Sequence, residues 1–120
     1  MKPDGFWQYL ERLVAGSQVI IDRPKGSRHP RSPDIVYPLD YGYLDGTTSG
    51  DGSGIDVWAG ASGARDLPVR AVILTVDLRK RDAEIKILLG VTEEETQAIL
   101  AFHNNNHMRA ALVRRPKEQE

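Results

Sequence analysis

Cysteine is absent from this chain of 120 residues, which excludes a disulfide framework, a thiolate metal site and a thiol nucleophile. Long apolar runs are missing too: stretches such as 71–74 are far too short to cross a bilayer, and the N-terminus lacks a signal-peptide pattern. The net charge of −1 gives no general attraction to nucleic acid or membranes. We therefore expect a cytoplasmic protein with neither partner, in which any metal is held mainly by Asp, Glu or His.

Length and composition predict a single domain over residues 1–120. Apolar residues make up 40% of the chain and charged residues 28%, as in soluble globular proteins. A chain of this size buries enough surface for one core without covalent staples. The composition leaves open whether copies associate into a homo-oligomer.

Apolar periodicity predicts two helices among several strands. The helices are expected at 4–15, with Asp4 as N-cap, and at 92–105, where Thr92 and Glu95 have capping-box spacing. The proline-rich stretch 24–34 is expected to be a loop, and a turn at 79–83 predicts a hairpin. The expected strands are 18–23, 55–60, 68–78, 84–91 and 108–115. This order predicts an α+β, mainly β fold: a small closed antiparallel β-barrel, OB-like, with one N-terminal and one C-terminal helix packed outside.

The stretch YPLDYGYLDGTTSGDGSGID (37–56) places three tyrosines before a glycine-rich loop that contains Asp51 and Asp56. Carboxylate oxygens suit hard cations such as Mg²⁺, and nearby Arg or Lys side chains suit a phosphate. Each feature alone also has an ordinary interpretation. Asp-Gly steps form turns, tyrosines pack in cores, and basic loops such as 28–31 are commonly solvated.

Four motifs follow one another along the chain: DRPKGSR (22–28), YPLDYGY (37–43), DGSGIDV (51–57) and the acid-x-Lys pattern of 84–86. In combination these motifs resemble those of the soluble, metal-dependent inorganic pyrophosphatases with a small β-barrel fold. The resemblance is strong over 19–60 and moderate over 68–90. At the position of Arg23, the family's first motif has an apolar residue.

The resemblance implies Mg²⁺-dependent hydrolysis of inorganic pyrophosphate or a related small phosphoanhydride. It implies metal ligands at Asp22, Asp51, Asp56 and Glu84, with either Asp77 or Asp82 as a further ligand. It implies substrate-binding residues at Lys25, Arg28, Arg31, Tyr41 and Lys86.

Departures from the family motifs affect the predicted catalytic set, which comprises Asp40, Tyr41 and Ser53. Ser53 replaces the family's proton-accepting aspartate, and the carboxylate of Asp40 replaces an amide. One hypothesis is that Asp40 compensates for Ser53 as the general base; the alternative is that Asp40 caps a turn.

Two further family elements are missing: a hairpin that carries a phosphate-binding arginine, and a Tyr-Lys pair on the C-terminal helix. Three residues could replace the Tyr-Lys pair: His103, His107 and Arg109. These losses favour a second interpretation, in which the chain is a non-catalytic module that retains the fold and a metal or phosphate site.

Overall fold

The structure is a computed structural model that describes residues 5–62 and 68–117. Its helices are α1 (Phe6–Ala15) and α2 (Glu93–His103). Its strands are β1 (Val19–Arg23), β2 (Asp40–Leu44), β3 (Ile55–Ala59), β4 (Ala71–Asp77), β5 (Asp82–Leu89) and β6 (Met108–Arg114). Neither helix is long and apolar enough to span a membrane within this described part of the chain.

Local signals predicted both helices. The capping box of α2 is confirmed, because the Thr92 hydroxyl accepts from the Glu95 amide at 3.1 Å and the Glu95 carboxylate accepts from the Thr92 amide at 2.9 Å. α1 has Gly5 rather than Asp4 at its N-cap. Asp4 itself lies outside the described residues.

The six strands form one open, mixed sheet in the order β1-β2-β3-β5-β4-β6. The predicted hairpin is confirmed: β4 and β5 pair antiparallel, with Asp77 opposite Asp82. The prediction of a closed antiparallel barrel is wrong. β5 pairs with β3 in parallel, and the end strands β1 and β6 do not pair with each other.

Apolar side chains on both faces of the strands explain why the sheet stays open. A barrel has one apolar interior, whereas this sheet has a core on each face, and one helix packs into each core. The α1 face contains Leu10, Val14, Leu44, Val57, Val69, Val72, Ile87 and Leu89. The α2 face contains Tyr37, Leu39, Trp58, Ala71, Ile73, Leu88 and Ile99.

The pairing of β1 with β2 has two local features that shape the site. A Cβ atom added to Gly42 would lie 1.8 Å from the Ile20 carbonyl oxygen, so only glycine lets β1 approach this closely. One residue further along, the register shifts: Ile21 lies opposite Gly42, and Arg23, not Asp22, lies opposite Tyr41. This β-bulge leaves Asp22 exposed and places Arg23 on the α2 face.

Candidate functional site

A buried ammonium group lies at the centre of the candidate site. Lys86 on β5 is only 3% exposed, and its Nζ donates to Asp56 Oδ2 and to Tyr41 Oη, each at 2.8 Å. Its distance to Glu84 Oε1 is 3.4 Å. Strand geometry explains the convergence, because Asp56 is the register partner of Lys86 and alternate residues of β5 share a face.

The surroundings of Lys86 keep it charged. Burial by itself would lower the pKa of the ammonium, but the interactions with Tyr41 and Asp56 outweigh burial and raise this pKa above its ordinary value. Burial also raises the pKa of the Tyr41 phenol well above its usual range. At neutral pH the site therefore contains a lysine cation and a protonated tyrosine.

The loop between β2 and β3 brings a second carboxylate to Glu84. Asp51 Oδ1 accepts from the Ser53 amide at 2.9 Å and from the Ser49 hydroxyl, and these two bonds lower the pKa of Asp51. Asp51 also interacts with the Glu84 carboxyl group, whose pKa is raised, mainly by burial. Two carboxyl groups in contact need a shared proton or a cation between them.

The donor chemistry of this pair tests whether Mg²⁺ fits. Asp51 and Glu84 offer adjacent carboxylate oxygens, and Mg²⁺ commonly binds to one or two carboxylates while keeping several waters. Residues 5–62 and 68–117 contain no group of three or more His, Cys, Asp and Glu side chains arranged to hold a metal. The nearby Asp56 is hydrogen-bonded to Lys86. The chain thus suits a largely hydrated ion on two carboxylates.

An aromatic cluster packs against one side of Tyr41. The Tyr41 ring lies 4.6 Å from Trp58 and 5.4 Å from Tyr37, measured between centroids, and Phe102 contacts both neighbours. Tyr37 is only 5% exposed. Packing is therefore part of the role of both Tyr37 and Tyr41.

His103 ends α2 inside this cluster. Its Nε2 accepts from the Trp58 indole at 3.1 Å, and its Nδ1 lies 3.2 Å from Met108 Sδ. Burial lowers the pKa of this imidazole to about 3, so His103 is neutral at physiological pH. It does not supply the cation that a Tyr-Lys pair would bring.

The other two candidates for that replacement lie directly before β6 (His107) and within β6 (Arg109). His107 Nε2 is 3.7 Å from Asp77 Oδ1, and Arg109 donates to the carbonyls of Asn106 and Met108. Neither residue has a recorded contact with Lys86, Asp56 or Glu84.

The two alternative further ligands, Asp77 and Asp82, lie opposite each other at the β4–β5 hairpin, and Asp82 influences Glu84. The carboxylate of Asp77 accepts from the amides of Arg79 and Lys80, which hold its pKa below the usual value although burial opposes this. Asp77 therefore closes the hairpin turn. Asp82 shares the face of Glu84 and contributes to the raised pKa of that residue. Asp22, the exposed residue of the β-bulge, lies apart from this cluster at the end strand β1.

The predicted basic residues lie in the loop after β1 and are exposed. Arg28 donates to the Pro33 carbonyl at 2.7 Å, and the Arg31 amide donates to His29 Nδ1 at 3.1 Å. The Lys25 amide donates to Asp40 Oδ1 at 2.9 Å. None of these three side chains has a recorded contact with the Lys86 cluster.

Asp40 and Ser53 are not brought together. Asp40 lies opposite Ala59, at the far end of β3 from the loop that contains Ser53. Strand alternation also puts Asp40 and Tyr41 on opposite faces of the sheet. With the Lys25 amide as its partner, the Asp40 carboxylate fits the turn-capping alternative. Ser53 uses its backbone amide and carbonyl to close the Asp51 turn.

Sequence reasoning missed Arg23. Its Nη1 donates to Tyr37 Oη at 2.7 Å, and its guanidinium carbon lies 5.6 Å from the centroid of that ring. The sequence signal that could have indicated a role for Arg23 is the arginine itself, because the pyrophosphatase motif has an apolar residue at this position.

Among solved structures, this fold is similar to that of an inorganic phosphatase from Anaplasma phagocytophilum. The TM-score is 0.50 and the identity 16%, with 80% of this chain and 81% of that chain covered. No protein-family model and no curated protein matches the chain. The similarity concerns the fold alone.

Proposed function

We propose that the protein hydrolyses inorganic pyrophosphate, or a related small phosphoanhydride, with Mg²⁺. The observation that carries this proposal is the cluster of Tyr41, Asp56, Lys86 and Glu84 on the α2 face of the sheet, with Asp51 of the β2–β3 loop beside Glu84. A purely structural sheet has no need for two carboxylates that converge on a buried cation. The fold similarity to an inorganic phosphatase adds weak support for a hydrolase.

In this proposal Asp51 and Glu84 hold the Mg²⁺ ion. When bound, the ion lowers the pKa of a coordinated water and neutralises charge on the phosphate. An ion held there would offset the repulsion between the two carboxylates. Asp56 is a further carboxylate beside the pair, joined to Glu84 through Lys86.

Lys86 and Tyr41 have positioning roles. The Lys86 ammonium is buried and fixed by two 2.8 Å hydrogen bonds, so it holds Asp56 and Tyr41 in a preorganised arrangement. Tyr41 stays protonated and acts as a hydrogen-bonding neighbour of Asp56, not as a base. Arg28 and Arg31 on the exposed loop are assigned to the outer oxygens of the substrate.

A non-catalytic metal- or phosphate-binding module is the second candidate. It is favoured by Ser53, whose hydroxyl has no useful basicity at neutral pH, and by the pairing of Asp56 with Lys86. Both candidates use the same carboxylates, so they differ only in turnover.

A phosphate-release assay on pyrophosphate and a nucleotide panel, with and without Mg²⁺, tests the proposal. We expect Mg²⁺-dependent release from pyrophosphate that is lost in Asp51→Asn. The matched control is Asp45→Asn, since Asp45 is an exposed aspartate between the tyrosine motif and the loop. Thermal stabilisation by Mg²⁺ should follow mass action in the parent and in the control, and be reduced in Asp51→Asn.

The outcomes separate the two candidates. Stabilisation by Mg²⁺ without phosphate release supports the binding module. Equal stabilisation of all three proteins contradicts the metal site at Asp51.

A further inference from the structure

Arg23 lies on the site face only because of the β-bulge in β1. The shifted register puts Arg23, rather than Asp22, opposite Tyr41, so its side chain joins the face of Tyr41 and Lys86. Bulges commonly re-aim a side chain next to a functional site. The local backbone thus exchanges a carboxylate for a guanidinium at this position.

The guanidinium of Arg23 is held in place without being neutralised. One of its N–H groups donates to Tyr37 Oη at 2.7 Å, and its plane lies near the Tyr37 ring. Within residues 5–62 and 68–117, no carboxylate lies at ion-pair distance from Arg23. Its other N–H donors keep the fork geometry that matches two oxygens of a phosphate.

Two cation–tyrosine pairs stand side by side here. Arg23 lies beside the Tyr37 ring, Lys86 lies 5.3 Å from the centroid of the Tyr41 ring, and the two rings stack with centroids 5.4 Å apart. Of the two cations, Lys86 is matched by Asp56 and Glu84, whereas Arg23 has no ion pair among the residues that the structure describes. An anionic group of a ligand would supply the counter-charge for Arg23.

Other basic residues reinforce the positive potential on this side. His29 stacks on Tyr37 at 6.5 Å with planes 9° apart. Burial lowers the pKa of His29, and the charges of Arg23, Lys80 and Arg31 lower it further, so three cations lie near this one ring. The neutral imidazole adds no charge of its own.

We infer that Arg23 is a substrate-binding residue that grips a phosphate group of the substrate distal to the Asp51–Glu84 pair. This inference rests on the proposed function and names the residue that would bind the second phosphate. Tyr37 is the positioning residue, since it acts only through the guanidinium it holds.

Binding of methylenediphosphonate and of inorganic phosphate, measured calorimetrically with and without Mg²⁺, tests this role. Arg23→Gln should weaken binding of the diphosphonate by about 10- to 100-fold, the loss expected for a charge-assisted hydrogen bond. Arg23→Lys, which keeps the charge but not the fork, should fall between Arg23→Gln and the parent. Tyr37→Phe should weaken binding several-fold while leaving the charge unchanged.

The matched control is Arg109→Gln, because Arg109 is an exposed arginine on the opposite end strand β6 and donates to the backbone carbonyls of Asn106 and Met108. It should bind both probes as the parent does. Melting temperatures of all variants verify folding, and little change is expected at Arg23, which is partly exposed.

The outcomes distinguish this inference from the proposed function. If the parent releases phosphate from pyrophosphate and Arg23→Gln binds the diphosphonate as tightly, the role of Arg23 is wrong and the hydrolase stands. If Arg23→Gln weakens binding but the parent never turns over pyrophosphate, the anion site stands and the hydrolase is wrong. A parent that binds neither probe overturns both.

Discussion

The two faces of the sheet are built from alternate residues of the same strands, yet they differ in chemistry. On β5, Ile87 packs under α1 among aliphatic side chains, while the preceding Lys86 points to the α2 face and bonds Asp56 and Tyr41. A partly buried ion pair between Glu11 and Arg115 borders the aliphatic core of the α1 face. The α2 face combines an aromatic core with buried charges. A period of two residues therefore lets one strand serve stability and chemistry separately.

The largest expected effect lies on the α1 face. Ile87 is fully buried, so Ile87→Ala should lower the free energy of unfolding by about 2–5 kcal/mol, through lost transfer energy and a cavity. Urea denaturation measures the loss. The pH dependence of stability should match that of the parent; a changed dependence would mean that the two faces are not independent.

His103 gives the α2 face a pH dependence of its own. Its pKa is about 3 in the folded protein and near 6.5 when exposed, so below pH 6.5 the unfolded chain binds a proton that the folded chain does not. Stability should therefore fall as pH drops from about 6.5 toward 3, by roughly 2 kcal/mol between pH 6 and pH 4.

The variant His103→Gln isolates this contribution. Glutamine retains an acceptor for the Trp58 indole but does not titrate, so its urea midpoints should depend less on pH between 6 and 4. Identical pH profiles for parent and variant would show that His103 is protonated without cost.

Removing the buried cation tests the charged part of the α2 face. Lys86→Met leaves Asp56 and Glu84 without a counter-charge and should destabilise by about 2 kcal/mol. The loss should be smaller than for a fully buried pair, since the Asp56 side chain is 23% exposed. The double variant Lys86→Met with Asp56→Asn should recover part of the lost stability. An unchanged loss in the double variant would argue against the ion pair between Lys86 and Asp56.

The smallest effect is expected at Asp40. Asn at this position retains an acceptor for the Lys25 amide, so Asp40→Asn should change stability by less than about 1 kcal/mol. Any turnover should stay within a few-fold of the parent. A decrease of about 10²–10⁴-fold would instead restore Asp40 as the general base.

Local signals predicted the elements that depend on neighbouring residues. The capping box of Thr92 and Glu95 and the β4–β5 turn are examples. β2 was not predicted, because Gly42 weakens strand propensity and pairing with β1 and β3 provides the compensation. The uninterrupted apolar run 71–74 indicates burial on both faces, yet the barrel prediction assumed only one.

In the site, too, some residues could be predicted from sequence motifs, whereas the placement of others depends on how the strands pair. Spacing and family resemblance pointed to Asp56, Glu84 and Lys86, which the strand register brings together. Alternation along β2 separates Asp40 from Tyr41 once the strand is known. Arg23 could not be placed from sequence, because the bulge that turns it depends on contacts between two strands.

The close contact at Gly42 has a consequence for how mutational data on this protein are interpreted. Any side chain there would collide with the Ile20 backbone, so substitutions should deplete folded protein whether or not it turns over a substrate. A selection that scores activity alone would assign Gly42 to catalysis. Scoring cellular abundance in parallel would separate the requirements of folding from those of chemistry, and a chain that had lost all enzymatic function would still need glycine at position 42.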